Sequence, residues 1–207
     1  MNADTLMAQA RTLLGDSTGI KFSQEQLEMG LQGVLCLLNA RAPRTVILET
    51  AQPVLDQTLT LACSVSVRDV LEVACLDFYP VRRADFNYPQ AGELQLRLTE
   101  PWPAGVVFHW RITLTADYQI EGLDGAVIST IPSSCALLLV YGLASRALQM
   151  RGAQLVESAN NQASTTDAGK RTAGDFEVRF EQLLQAWQQS LPAPLPILAV
   201  DSKWQQV

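Results

Sequence analysis

Apolar residues recur at helical spacing in two segments near the N-terminus. Within 3–14 they lie three or four positions apart, as on one face of an amphipathic helix. A second stripe begins after Ser23 and Gln26, whose spacing of three is that of a capping box, and it ends before Pro43. The pattern predicts helices over 3–14 and 23–40.

Between residues 44 and 120 the apolar period changes to two. β-branched residues occur in 45–48, 59–61 and 70–78, which are predicted to form short strands. Two further runs alternate between apolar and polar positions, 94–98 and 108–114. Proline and glycine at 100–105 separate these two runs, as in a hairpin connection. The whole of 44–120 is predicted to form a small antiparallel sheet with one buried side.

The helical period returns in the C-terminal half of the chain. Residues 134–151 are predicted to form a helix buried on several sides, because its first half is apolar all round and Gly142 lets a neighbouring element approach closely. The polar stretch 152–169 has no period and is predicted to be a mobile loop. A last helix, 173–189, carries one apolar stripe and is expected to pack on the preceding helix.

The predicted fold class is α+β. A single domain over 1–190 would have a core of two N-terminal and two C-terminal helices, with the sheet inserted between them. Residues 191–207 are expected to form an extended tail, because three prolines at alternate positions remove hydrogen-bond donors. The tail is unusually apolar, and its large apolar residues include Leu191, Leu195, Ile197, Leu198, Val200 and Trp204.

Composition narrows the class of function. Only 17% of the 207 residues are charged, which indicates a surface that partners cover. The net charge of −6 argues against a protein whose main task is to bind nucleic acid. The longest apolar stretch is about half of the roughly 20 residues that cross a bilayer, and no secretory signal is visible, so no membrane anchor is expected.

Residues that could carry chemistry show no functional spacing. The four cysteines are Cys36, Cys63, Cys75 and Cys135. They lie far apart inside apolar runs, which predicts small buried side chains in a reducing compartment. His109 has no ligand or triad partner at a usual spacing, and 122–125 predicts a turn rather than a phosphate-binding loop. We therefore expect no cofactor, no metal site and no enzymatic activity.

Two groups of residues resemble motifs of the head-tail adaptor (connector) proteins of tailed bacteriophages. The first is Phe22-Ser23 followed by Leu27, Leu31 and Leu35, with Asn39 and Pro43 beyond. The second is the turn 122–126, then Ser129-Thr130-Ile131-Pro132, then the small-residue helix 141–147. The order of parts, with a β-rich insertion between two pairs of helices, is similar as well.

The resemblance implies a structural virion protein rather than an enzyme. Adaptors of this kind form a ring, commonly of twelve copies, beneath the portal, and they join the capsid to the tail in the virion neck after assembly in the host cytoplasm. The implied partners are other copies of the chain, the portal protein and a tail or neck protein, while genomic DNA passes through the ring without specific recognition. The candidate contact residues are the apolar tail residues named above and Trp102.

Two other hypotheses stay open at this level. One is a tail-completion or terminator protein, whose contact would be the tail tube rather than the portal. The other belongs to a different class: an enzyme or small-molecule-binding domain whose site residues are too dispersed along the chain to form a motif.

Overall fold

The structure is a computed structural model. It describes residues 1–61, 67–79, 81–87, 94–158 and 167–191. These residues form two compact units, one from Met1–Ala42 with the residues from Tyr118 onward, and the other from Pro43–Asp117. We call them the helical unit and the sheet unit.

The helical unit contains four α-helices, which confirms the predicted helical part of an α+β fold. They are α1 (Ala3–Leu13), α2 (Gln24–Arg41), α3 (Ala136–Ser158), which a 3-10 helix (Ser133–Cys135) precedes, and α4 (Asp167–Ser190). The predicted capping box begins α2. The Gln26 N–H donates to Ser23 Oγ at 3.1 Å, and the Ser23 N–H donates to Gln26 Oε1 at 2.9 Å.

The helices of this unit share one apolar core, and Gly142 marks a close contact within it. A β-carbon at Gly142 would lie 2.8 Å from Phe180 Cδ2 and 2.9 Å from Val34 Cγ1, so only glycine fits there without a shift. As predicted, α4 packs on α3. The buried Ser145 Oγ donates to the Ala173 carbonyl at 3.1 Å between these two helices.

Both C-terminal helices are longer than the sequence pattern predicted. The predicted loop over 152–169 is wrong at both ends, because 152–158 continue α3 and 167–169 begin α4. Residues 159–166 lie outside the described residues. The last turns of α3 contain Ala, Gln, Leu and Glu and no proline, so helix propensity sustains them without a clear apolar period.

The sheet unit is antiparallel, as predicted, but it contains two sheets rather than one. The first has the order β1 (Arg44–Pro53), β7 (Val107–Ala116), β3 (Val67–Cys75) and β4 (Arg82–Arg83). The second has the order β2 (Thr58–Leu61), β6 (Leu94–Leu98) and β5 (Phe86–Asn87). Side chains from both sheets form a single apolar cluster.

The predicted hairpin at 100–105 is wrong. β6 pairs with β2 and β5, whereas β7 pairs with β1 and β3, so this segment crosses from one sheet to the other. Trp102 lies in the crossing and is only 3% exposed. The backbone N–H of Trp102 donates to Gln57 Oε1 at 2.9 Å, and Gln57 Nε2 donates to the backbone carbonyl of Trp102 at 3.1 Å.

The end of the predicted β insertion also differs. Tyr118 and Ile120 are buried in the core of the helical unit rather than in a sheet. The Tyr118 N–H donates to Asn39 Oδ1 at 2.7 Å, and Asn39 Nδ2 donates to the Tyr118 carbonyl at 3.2 Å. The side-chain amide of α2 thus takes both backbone hydrogen bonds that a strand partner would have made, and the sheet pairing ends at Ala116.

The predicted turn at 122–125 is confirmed. Gly122, Asp124 and Gly125 all have positive φ angles, and the Gly122 N–H donates to the Ala126 carbonyl at 2.9 Å. Glycine adopts this backbone region readily, which explains the two glycines of the motif.

Candidate protein-interaction surface

One end of the sheet unit carries a group of exposed apolar side chains. It is the end away from Arg44 and Ala116, where the chain enters and leaves the unit. The group consists of Leu55, Phe78, Tyr79, Val81, Val106 and Val107. We call it the apolar tip.

Three stretches of chain that are distant in sequence meet at this tip. Pro53 at the end of β1 is the strand partner of Val107 at the beginning of β7. The Gly105 N–H donates to the Val54 carbonyl at 3.1 Å, which joins the segment before β7 to the segment after β1. The Leu76 N–H donates to the His109 carbonyl at 2.8 Å, so the β3–β7 pairing continues into the loop that carries Tyr79.

An aromatic cluster supports the tip from inside. The ring centroid of Phe78 lies 5.9 Å from that of Trp102 and 6.1 Å from that of Phe108. Trp102 packs in turn on Trp110, with 4.9 Å between centroids. The Arg82 guanidinium lies 4.5 Å from the Trp102 ring, within the range of a cation–π contact. The half-exposed Phe78 therefore connects the surface of the tip to the buried core.

Two polar contacts fix the loop between β3 and β4. The His109 N–H donates to Asp77 Oδ2 at 2.7 Å, and His109 Nδ1 lies 2.8 Å from Asp77 Oδ1. These hydrogen bonds, first from the backbone and then from the ring of His109, lower the pKa of Asp77. Beyond the loop, Arg82 pairs with Glu100 at 2.6 Å. Tyr79 lies between these anchors, and its side chain is fully exposed.

The turn that carries Leu55 is fixed as well. Asp56 and Gln57 both have positive φ angles, as the two central residues of a type I′ turn do, although neither is glycine. The Leu55 and Thr58 backbones exchange two hydrogen bonds, at 3.1 and 2.7 Å. Because Gln57 also holds the Trp102 backbone, the turn and the aromatic cluster stabilise each other.

This arrangement has the properties of a preformed binding surface for a protein. Contiguous exposed apolar side chains on a folded protein mark contact sites, and exposed aromatic residues contribute much of the binding energy of an interface. An anchored loop also loses little conformational freedom when it binds. Tyr79 is the residue of the tip from which we expect the largest contribution.

No protein-family model matches the sequence, and no curated protein matches it. Among solved structures, the chain has a weak similarity to one described as the neck of an empty GTA particle computed with C6 symmetry. The TM-score is 0.28 and the sequence identity 16%, over 78% of this chain and 76% of that chain. A similarity this low carries no conclusion about function. Function therefore has to follow from the residues of this chain.

Of the residues predicted to bind a partner, the described residues include Leu191 and Trp102. Leu191 is half-buried directly after α4, and its N–H donates to the Trp187 carbonyl at 3.1 Å. Leu195, Ile197, Leu198, Val200 and Trp204 lie outside the described residues. Their role in binding stays a prediction. Trp102 belongs to the core of the sheet unit, because its ring packs on Phe108 and Trp110, so it supports the tip from behind rather than forming its surface.

The cysteines follow the prediction in part. Cys75 and Cys135 are buried, and burial raises the pKa of each thiol. Cys36 is exposed on α2, so its predicted burial is wrong, since it lies between the core positions of that helix rather than on them. Cys63 lies outside the described residues. Within the described part of the chain, no three His, Cys, Asp or Glu side chains are grouped closely enough to hold a metal ion.

None of the helices in the described ranges combines the length and the apolar character needed to cross a bilayer.

The apolar tip was not predicted from the sequence, although a sequence signal for part of it exists. The apolar period across 70–78 predicted one strand, whereas β3 ends at Cys75. Tyr79 precedes a proline, and a residue before proline favours extended or turn backbone, which marks the place where the chain leaves the sheet. Nothing local in the sequence shows that Leu55 and Val106 lie at the same end of the unit.

Proposed function

We propose that this chain is a non-enzymatic structural component of a phage-like particle neck, a head-tail adaptor that joins the capsid to the tail. The observation that carries the proposal is the apolar tip, in which exposed apolar side chains are held by the Asp77–His109 contact and by the aromatic cluster. The motifs around Ser23 and around 122–147, which resemble those of adaptors, support the same function.

The position of the tip suits a joining role. It lies at the end of the sheet unit opposite Arg44 and Ala116, so a partner bound there contacts loops and strand ends only. The strands behind it remain paired, and the aromatic cluster resists displacement of the loops. We assign the tip to the contact with a portal, tail or neck protein. A ring of twelve copies beneath the portal, within the virion neck, is part of the proposal through the resemblance.

The proposal predicts that Tyr79→Ala weakens partner capture without unfolding the chain. Removing an exposed aromatic from the centre of an interface lowers affinity about tenfold or more. The measurement is affinity purification of the tagged full-length chain from the cells or particles that naturally contain it, with the portal and tail proteins quantified by mass spectrometry.

Ile20→Ala is the matched control, because Ile20 is 84% exposed but belongs to the helical unit. It should leave partner capture unchanged. Circular dichroism should show that both variants are folded. Equal recovery of portal and tail proteins with Tyr79→Ala and the unmodified chain would contradict the assignment of the tip.

A further inference from the structure

The first strand of the larger sheet has an open edge. β1 stands at the end of the order β1-β7-β3-β4 and pairs with β7 through all ten of its residues. Over 45–51, no strand within the described ranges pairs with its other side. In an antiparallel ladder, every second residue of an edge strand directs its N–H and C=O away from the sheet. Among the described residues, no strand pairs with these groups.

This stretch has little of the usual protection of an edge, because its one charged side chain, Glu49, is paired with Arg111 of the neighbouring strand at 2.8 Å. Proteins commonly keep edge strands short, or place proline, lysine or a bulge on them. β1 contains no lysine, its only proline is its last residue, Pro53, and its pairing with β7 has no register shift. Ile47 on the outward side is 49% exposed. Such an edge is a template for strand addition from another segment.

The C-terminal tail supplies a segment of matching character. Pro196 is the last proline of the chain, so Ile197–Trp204 keeps every backbone N–H for pairing. The segment contains three residues that favour strands, Ile197, Val200 and Trp204, and it carries one acidic and one basic residue, Asp201 and Lys203. It is therefore the part of the chain outside the described residues that is best suited to form a strand.

The length of the tail indicates whether it pairs with β1 of its own copy or with β1 of a neighbouring copy. Gln188 Nε2 donates to the Arg41 carbonyl at 3.2 Å, and Arg41 precedes the first residue of β1 by three positions along the chain. Antiparallel pairing, the more stable kind, requires the tail to enter at the Ala51 end. That end is about 23 Å from Arg44 at about 3.3 Å per residue. In an extended proline-rich conformation, the six steps from Leu191 to Ile197 would span about 19 Å at about 3.1 Å per residue, which is less than this distance.

We propose that Ile197–Trp204 of one copy pairs as an antiparallel strand with the β1 edge of a neighbouring copy. This inference rests on the proposed function, because it names the partner of the tail within the ring. The two contact surfaces differ, so the interface is head-to-tail and repeats from copy to copy. Head-to-tail interfaces generate closed rings when the rotation between copies closes.

Disulfide trapping between two full-length variants tests this pairing. Both variants carry Cys36→Ser, which removes the exposed thiol. One carries Ile47→Cys, and the other, with a larger tag, carries a cysteine at 198, 199, 200 or 201 in turn. After mixing and mild oxidation, a mixed dimer on a non-reducing gel reports contact. We expect strong crosslinking at alternate tail positions only, because strand side chains alternate between faces.

Two further variants define the direction and the specificity of the pairing. With Thr45→Cys in place of Ile47→Cys, the best tail partner should move two positions toward the C-terminus, as antiparallel pairing requires. Thr113→Cys is the matched control, because Thr113 is the strand partner of Ile47 on the central strand β7. One strand spacing of about 4.8 Å takes it out of disulfide range, so it should crosslink weakly.

The inference is overturned if no mixed dimer forms at any tail position, or if crosslinking occurs only when both cysteines are on the same chain. In either case, the proposed adaptor function would stand if the chain still captures portal and tail proteins and if Tyr79→Ala still reduces this capture. If Tyr79→Ala captures portal and tail proteins as well as the unmodified chain does, while the mixed dimers still form, the proposed function would be contradicted and the strand pairing would stand.

Discussion

Among single residues, Asp16 organises the connection between α1 and α2. Its carboxylate is 1% exposed and accepts hydrogen bonds from the N–H groups of Lys21 and Phe22 at 2.9 and 3.0 Å. Arg11 pairs with it at 3.1 Å. Burial alone would raise the pKa of Asp16, but the two N–H groups and the Arg11 charge outweigh burial, so its pKa is lowered.

We predict that Asp16→Asn destabilises the protein at neutral pH and that the destabilisation fades in acid. A lowered carboxyl pKa contributes stability that is fully present above the ordinary value of 3.8 and is lost as the pH falls through the folded-state pKa. The difference in free energy of unfolding between the two proteins should therefore shrink below about pH 4. Denaturant titrations followed by circular dichroism at several pH values measure it.

Asp175→Asn is a suitable control for this experiment, since Asp175 lies exposed on α4. It should change the free energy of unfolding little at any pH. A constant difference between Asp16→Asn and the unmodified protein from neutral to acidic pH would show that the charge of Asp16 is not what stabilises the connection.

Contacts between residues that are far apart in the sequence could not be predicted from the sequence. The partner of His109 is Asp77, which follows β3 and lies 32 positions earlier. Gln57 and Trp102 are 45 positions apart. In each pair the two residues meet only because the segments that carry them belong to the same unit. None of these four residues belongs to a sequence motif. The exposure and the partner of each residue therefore could not be predicted from the residues around it.

At the level of elements, Gly142 shows how α2, α3 and α4 are fitted together. The sequence predicted a close approach there from a small residue in an apolar helix, and the structure confirms it with side chains of Phe180 and Val34. Gly33 on α2 is the opposite case. A β-carbon at Gly33 would have no atom within 4 Å, so that glycine has no packing function.

We predict that the two glycines respond to alanine in opposite ways. Gly142→Ala should destabilise the protein by about 1–3 kcal/mol, because the added methyl group overpacks the core. Gly33→Ala should stabilise it by about 0.5–1 kcal/mol, because alanine loses less backbone entropy in a helix. Thermal and denaturant unfolding of both variants check this. Equal effects of the two substitutions would contradict the tight contact at Gly142.

The elements themselves were easier to predict than their pairing. Period and capping signals gave all four helices and the antiparallel character of 44–116, because both depend on local residue order. The pairing of β6 with β2 rather than with β7 does not depend on local order. The segment between these two strands crosses from one sheet to the other and carries the buried Trp102.

For the whole molecule, the α+β class was predictable, whereas the apolar tip was not. Its residues come from positions 55, 78, 79, 81, 106 and 107, and only the strand order brings them to one end. The tail, by contrast, was recognised in the sequence because its apolar, proline-rich composition is unusual. The proposed adaptor would use both: the tip for a portal, tail or neck protein, and the tail for a neighbouring copy.

The central claim is that the chain joins other particle proteins as a ring. Electron microscopy of the complexes that co-purify with the tagged full-length protein, from the cells or particles that naturally contain it, tests this claim most directly. We predict rings of this chain stacked on a portal-like ring, with the sheet units at a protein–protein contact. Small particles of uniform size that contain this chain alone would contradict the claim.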